Sequence, residues 1–345
     1  MKADIKGWDR QETEQWAVKA GMKPYRGKQI RHWLLVKLVE SSAEMVNIPM
    51  EIRDLVEKEL LISPLKTVKT EQSEDGTVKF LFELADGPLI ESVLIPERDH
   101  LTICISSQAG CAMGCRFCLT GKQGLKRNLS ASEIIEQVIQ VKRTLDNPEQ
   151  LRNIVLMGMG EPLANYEAVL RALKNLIAQD GMNFSHRKIT VSTCGLVPQM
   201  KQLGLDISIN LAVSLNAADN ETRDALMPVN RKYPLESLMT ACREFPLRNR
   251  RMITFEYILI KGKNDRDQDV KNLCRLLSGI RAKINLIALN PHPGSNMEPP
   301  SIERILQFKE MLAEKNFTVI LRKSKGSDIS AACGQLSGAH SESLV

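Results

Sequence analysis

The run Cys111-Ala112-Met113-Gly114-Cys115-Arg116-Phe117-Cys118 places three thiols within eight residues, directly after the apolar stretch Leu101–Ser106. That stretch reads as a strand. Downstream, strand candidates Asn153–Met159, Lys188–Thr193, Leu211–Asn216, Met252–Ile260 and Ile284–Leu289 alternate with amphipathic stretches such as Ser132–Leu145 and Tyr166–Ala178. Ser130 and Glu133 have the spacing of a capping box at the first of these helices. Six β–α repeats imply a parallel sheet curled into a full or partial barrel, with chemistry at the C-terminal ends of its strands. The cysteine run falls at the end of the first such strand. A last strand, Phe317–Arg322, leads into the Gly-rich stretch Gly326 to Gly338.

Upstream the pattern changes twice. Residues 1–62 read as helices, one opening at Trp8-Asp9-Arg10-Gln11-Glu12 and another over Tyr25–Leu34, whose charged side carries Arg26, Lys28, Arg31 and Lys37. A solvated face is the ordinary meaning of such a stripe, and phosphate contact the alternative. Leu65–Glu71, Thr77–Leu84 and Leu89–Ile95, with turns at Asp75-Gly76 and Asp86-Gly87-Pro88, form a small antiparallel meander. The expected class is therefore α/β: a partial (β/α)6 barrel over 98–338, an N-terminal helical domain over 1–62, a small antiparallel β extension over 63–97, and a tail at 339–345.

Composition narrows the function classes. The 345 residues are 43% hydrophobic and 26% charged, with a formal net charge of +6; that balance permits a polyanionic partner without requiring one. No apolar run approaches the roughly 20 residues that span a bilayer, and Met1-Lys2-Ala3-Asp4 lacks a basic-then-apolar leader pattern. A cytoplasmic, monomeric protein with no membrane partner is expected. Eight cysteines in such a chain do not suggest a disulfide framework. Cys194, Cys242 and Cys274 read as packing residues, with Cys194 near the cofactor end of its strand. Only fifteen aromatic residues argue against RNA binding that relies chiefly on stacked rings.

Three thiolates suit a soft metal centre, whereas zinc normally takes four ligands and no further Cys or His follows at suitable spacing. A 4Fe–4S cube held by three thiolates keeps one iron open to chelate the amino and carboxylate groups of a methionine sulfonium. This spacing, with an aromatic residue before the third cysteine, resembles the radical S-adenosylmethionine superfamily. The resemblance implies that Cys111, Cys115 and Cys118 hold the cluster, and that Gly160 and Glu161 of Gly158-Met159-Gly160-Glu161-Pro162 meet the sulfonium's amino group. Ser192, Ser214-Leu215-Asn216 and Asn290, at later strand ends, are the other cofactor candidates. Each taken singly is also a normal strand cap.

Over almost its whole length the chain is similar to the RlmN/Cfr family of RNA adenine methyltransferases. The matching stretches are Cys104–Cys118, Gly158–Pro162, Met227-Pro228-Val229-Asn230, Asn290-Pro291-His292-Pro293-Gly294 and Ala331–Leu336. Pro162 favours the RlmN branch, since the Cfr branch tends to carry alanine there. Asn216 stands where many members have histidine, and an amide still donates and accepts. The resemblance implies a detour that carbon 2 of adenine needs, because that carbon cannot displace a methyl from a sulfonium directly. Cys333 takes a methyl from one S-adenosylmethionine, and a second molecule yields the 5′-deoxyadenosyl radical that activates this methyl. Glu91 then acts as base, and Cys104 frees the product through a transient disulfide with Cys333. Read without the family, Cys104 is a small buried hydrophobe, Glu91 an exposed strand carboxylate, and Cys333 a reactive thiol in a polar loop.

Implied partners are 23S rRNA, tRNA, and an electron donor such as flavodoxin or ferredoxin. Lys122, Lys126, Arg127, Arg231, Lys232, Arg322, Lys323 and Lys325 are the candidate phosphate contacts. Three rivals stay open at this stage: a Cfr-like carbon-8 methyltransferase, a non-catalytic iron–sulfur or zinc RNA-binding module, and a radical activase of another protein.

Overall fold

A computed structural model describes residues 2–292 and 294–338. The 339–345 tail, and Pro293 of the Asn290–Gly294 motif, lie outside the described residues. One ten-stranded sheet organises the rest. In chain order its strands are β1 (Lys66–Gln72), β2 (Val78–Glu83), β3 (Leu89–Pro96), β4 (Leu101–Cys104), β5 (Leu151–Leu156), β6 (Ile189–Thr193), β7 (Asn210–Ser214), β8 (Ile253–Leu259), β9 (Ala282–Ala288) and β10 (Thr318–Arg322). From β4 to β10 each strand pairs in parallel with the next, while β1 to β4 pair antiparallel. The meander, expected as a small extension linking to the core, is continuous with the parallel sheet through the β3–β4 ladder. The outer strands, β1 and β10, do not pair with each other, so the barrel is open.

Burial explains the parallel half. β8, Ile253-Thr254-Phe255-Glu256-Tyr257-Ile258-Leu259, is buried at six of its seven positions. Such a near-continuous apolar strand belongs in a sheet covered on both faces. The helices that cover it carry one apolar stripe each: Val169, Leu170, Leu173 and Leu176 of Tyr166–Ile177 point inward. The helix Ala131–Arg143 starts where the spacing predicts, with Ser130 Oγ accepting the Glu133 amide and the Glu133 carboxylate accepting the Ser130 amide.

At the N-terminus, helices α1 (Arg10–Lys19), α2 (Tyr25–Leu35) and α3 (Met50–Glu59) form the first body. Asp9 caps α1 in a reciprocal box with Glu12. The charged stripe on α2 is not wholly solvated: Arg31 is buried and donates to the Trp8 carbonyl at 2.6 Å. This body is fastened to the barrel by Lys6, whose ammonium pairs with Glu136 and donates to Ser63 O at 2.7 Å, both charged side chains being 1% exposed.

Removing one partner of a buried pair leaves the other charge unpaired. Lys6→Met is therefore expected to lower unfolding free energy by about 3–5 kcal/mol, read from the urea midpoint. A midpoint equal to wild type would show that the pair adds nothing to docking.

After β10 the chain crosses the open mouth of the barrel and is anchored on two sides. The antiparallel strands hold it through Ser73 Oγ to Asp328 (2.6 Å), Lys79 Nζ to Ile329 O (2.7 Å), and the Glu91 carboxylate, which accepts the Ser337 and Gly338 amides at 2.6 and 2.9 Å. The cysteine loop holds it through Leu119 N–H to Gly334 O (2.8 Å) and Thr120 Oγ to Leu336 O (2.6 Å). Among the described residues no helix is long and apolar enough to cross a membrane.

Candidate active site

A cavity opens at the C-terminal ends of the parallel strands. Cys111, Cys115 and Cys118 line one side, Gly160 and Glu161 follow β5, Ser192 and Ser214 come from β6 and β7, and Cys333 closes it. The cysteine run forms its own loop. Gln108–Cys111 pairs antiparallel with Gly124–Asn128, and a short helix, Leu119–Lys122, follows the third cysteine. This small hairpin was not evident in the sequence.

Glu161 is 4% exposed, and its carboxylate accepts the Cys194 amide at 2.8 Å and the Leu163 amide at 3.0 Å. Burial still raises its pKa, against the pull of those two amides. It is an anchored carboxylate suited to an ammonium. Its own amide donates to Gln108 Oε1 at 2.8 Å. Gly160 makes that approach possible, for its φ is +99° and a Cβ there would lie 2.5 Å from Gln108 Cβ.

Burial also pushes the three loop thiols up, Cys111 to about 11. Binding a metal group there must release protons. Among the described residues, no three His, Cys, Asp or Glu side chains are placed to hold a single metal ion. The thiols instead share one wall, as an iron–sulfur cube requires when each of three corners takes one thiolate. The donor set fits the 4Fe–4S group, and Glu161 lines the same cavity.

Five other site candidates are placed less directly. Leu215 is buried, and its carbonyl accepts from Arg223 at 3.0 Å. Asn216 has a left-handed backbone (φ +56°), and its side chain accepts the Ile258 amide at 2.9 Å and contacts Met227 Sδ. Asn290 donates to the Cys333 carbonyl at 3.1 Å and accepts from Ser324 Oγ at 2.6 Å. None of these three side chains is on the cavity wall. Asn290 instead holds the backbone of Cys333.

Cys104 lies at the end of β4, buried behind Cys333. Burial, and then Cys333 itself, pushes its thiol up to about 12. Cys333 opens to the cavity, yet the surrounding protein also holds its thiol high, with Arg322 acting the other way. The two thiols, remote in sequence, are electrostatic neighbours.

Glu91 is not the exposed carboxylate that its strand suggests; it is 1% exposed. Val93 pairs with Cys104, so Glu91, two residues earlier, shares the face that carries Cys104. Its oxygens are engaged by Lys79 at 3.3 Å and by the amides of Ser337 and Gly338.

Sequence reading missed Glu256, gave Met227 no individual role, and misplaced two others. Glu256 lines the cavity from β8, accepts from Asn285 at 2.9 Å, and acts on Cys333. Met227 lines the cavity beneath Asn216. Cys194, read as packing, is on the wall. Arg127 is not available to phosphate, since Asp86 and Glu133 both grip it at 2.6–2.9 Å.

Comparison with known proteins agrees with this geometry. Residues 105–276 match the model of the Radical SAM superfamily, and residues 3–62 match that of the ribosomal RNA large subunit methyltransferase N-terminal domain. The dual-specificity RNA methyltransferase RlmN of Desulfosudis oleivorans is 51% identical over 97% of this chain and 91% of its own. That of Geobacter sulfurreducens is 53% identical over 97% and 92%. The chain belongs to the RlmN family. A crystal structure of a radical SAM methyltransferase from Sphaerobacter thermophilus, 42% identical, superposes with a TM-score of 0.94 over 98% of this chain and all of that one. As an RlmN-family radical SAM RNA methyltransferase, the protein uses a 4Fe–4S cluster and S-adenosylmethionine. Cys111, Cys115 and Cys118 are the three cysteines of one short loop that line the cavity.

Proposed function

We propose that the protein methylates carbon 2 of an adenine in 23S rRNA and in tRNA, using Cys333 as methyl carrier and Cys104 to free the product. The observation that carries this reading is that Cys333 lines the cavity with the three loop cysteines while the buried Cys104, remote in sequence, is near enough to feel its charge. When bound, the cluster and S-adenosylmethionine supply one-electron cleavage that creates a carbon radical. The chain's own residues do the rest. Glu161 holds the sulfonium's ammonium, with Gly160, Ser192 and Ser214 beside it. Arg322 favours the Cys333 thiolate that takes the methyl group. After the methylene carbon has bonded to adenine, the Cys104 thiolate attacks the Cys333 sulfur. Before that attack the radical adduct must give up one electron, which the bound cluster would accept back, and its carbon-2 proton; an S–S bond then forms, the Cys333 S–C bond breaks, and the electron pair passes to the departing carbon, which is protonated.

Glu91 is assigned as the base that removes the carbon-2 proton. The Ser337 and Gly338 amides both bind Oε2 of this carboxylate, so the base role falls to Oε1, which Lys79 meets at 3.3 Å. Leu215, Asn216 and Asn290 complete the cofactor site through the backbone they order. The division into an RNA-contacting body (1–62), the antiparallel linker (63–97) and the catalytic barrel (98–338) belongs to the same reading. So do a flavodoxin or ferredoxin as reductant, a monomeric state and a cytoplasmic location. Lys126, Arg231, Lys232 and Lys323, all exposed, are the phosphate contacts retained.

The test is anaerobic reconstitution with iron and sulfide, incubation with each RNA, and mass analysis of the digested nucleosides. 2-Methyladenosine is the expected product. 8-Methyladenosine would move the protein to the Cfr-like reaction, and S-adenosylmethionine cleavage without any methylated nucleoside would remove the RNA assignment.

A pH dependence follows from Cys104. Its thiol is held at about 12, so its thiolate fraction rises with pH throughout the neutral range. Product release in a single turnover should accelerate about tenfold per pH unit between roughly pH 7 and 9. A rate flat with pH would show that Cys104 deprotonation does not limit release.

A further inference from the structure

The helix Asn220–Leu226 carries Arg223, one of the largest fully buried side chains in the protein. Its guanidinium donates to Cys194 O at 2.7 Å, Leu215 O at 3.0 Å, Ser214 O at 3.2 Å and Asn230 Oδ1 at 2.9 Å. One side chain therefore joins the ends of β6 and β7 to the Met227–Asn230 turn. The same helix is clamped to the cluster loop, for the Arg116 amide donates to Leu226 O at 3.0 Å. None of these acceptors is a carboxylate. Asp224 is the acid acting on Arg223, and its effect ranks below those of Cys194, Cys115 and Cys242.

A buried cation without an ionic partner is costly, and carbonyl dipoles offset only part of that cost. Asp224 supplies part of the compensation, and an anion on the cavity side would add to it. Cys115 and Cys194, the two cysteines of the cavity wall on which Arg223 acts, sit in a small apolar cluster with Phe117, Leu226 and Met227. That apolar surrounding screens charge weakly. Three thiolates make the iron–sulfur group a net anion, and its reduction adds one further negative charge. Glu161, bound to the Cys194 amide, opposes that change until an ammonium neutralises it. Arg223 favours it.

We propose that Arg223 is a positioning residue with a second, electrostatic duty: it fixes the strand ends that frame the cluster site and raises the cluster's reduction potential. The proposal rests on the cluster reading of Cys111, Cys115 and Cys118. That reading is checked separately, by iron and sulfide content and by the electron paramagnetic resonance signal of the reduced cluster.

The test is a redox titration, followed by paramagnetic resonance, of the reconstituted full chain without S-adenosylmethionine. Arg223→Gln should lower the midpoint, so that the reduced-to-oxidised ratio at a fixed potential falls about tenfold, equivalent to about 59 mV for one electron. Arg223→Lys keeps the charge and should restore most of the midpoint. A second variant removes dependence on Arg223→Gln folding. The paired exchange Asp224→Asn with Asn230→Asp moves a carboxylate onto Arg223 at the 2.9 Å position and leaves net charge unchanged. The amide and carboxylate of 224 and 230 then meet in the opposite sense, while the Asn230 bonds to Asn220 O and Oδ1 are lost, so cluster content and the urea midpoint are measured alongside. This exchange should also lower the midpoint. Loaded clusters with wild-type midpoints in the exchange variant would overturn the proposal, whatever Arg223→Gln does. Failure of all variants and wild type alike to load a cluster would overturn the cluster reading instead.

Discussion

Cys333→Ala should lose RNA methylation by on the order of 10⁴-fold or more, the scale seen when a covalent nucleophile is removed, while still loading its cluster. The separation of these two readouts follows from how the loop is held. Cys333 contributes a thiol that opens to the cavity, whereas its backbone is fixed by other groups: Asn290 on the Cys333 carbonyl, Leu119 on Gly334 O, and Glu91 on Ser337 and Gly338. Removing one solvent-facing sulfur leaves those bonds in place, and substitutions of this kind usually shift stability by less than about 0.5 kcal/mol. The cluster thiols lie on a different segment. Iron and sulfide content should equal wild type, with no 2-methyladenosine in digested RNA. Wild-type methylation by this variant would sink the carrier mechanism, because no other cavity thiol outside the cluster set is free of a second task. Cys194, the remaining one, is buried with its amide and carbonyl engaged by Glu161 and Arg223.

How much of this was legible in the sequence depended on how local the signal was. Apolar runs of strand length and the Ser130–Glu133 cap act within a few residues, and every strand candidate of the large sheet has a counterpart there. The three loop cysteines are equally local. What stayed hidden was set by contacts across the chain. Glu91 looks like any strand carboxylate until Ser337 and Gly338 arrive from the other end of the protein. Arg127 looks like a phosphate contact until Asp86 and Glu133 close on it. Arg223, on a short helix of mixed composition, carries no pattern at all; only its acceptors reveal it as a strut. The continuity of the antiparallel strands with the parallel sheet was hidden for a related reason. Strand adjacency is a property of register between segments, and composition within a segment does not encode it.

That continuity gives the second large prediction its force. Because β3 and β4 are hydrogen-bonded neighbours, Cys104 is fixed on the same face as Glu91, beneath the loop that carries Cys333. Cys104→Ala should leave methyl loading and radical addition intact but remove the only thiol of this pair that can attack the Cys333 sulfur. RNA should then accumulate joined covalently to Cys333, resistant to denaturant and visible by intact mass, with released product falling at least about 100-fold. The structural cost is small, since a buried sulfur is replaced by a methyl at one strand end, worth about 1 kcal/mol. The adduct also distinguishes this variant from a merely destabilised one, because a misfolded chain would trap nothing. Normal turnover with no adduct would return Cys104 to the role that burial alone suggests, a packing residue at the end of β4. An adduct would establish that the thiol at the end of β4 reaches the sulfur of Cys333.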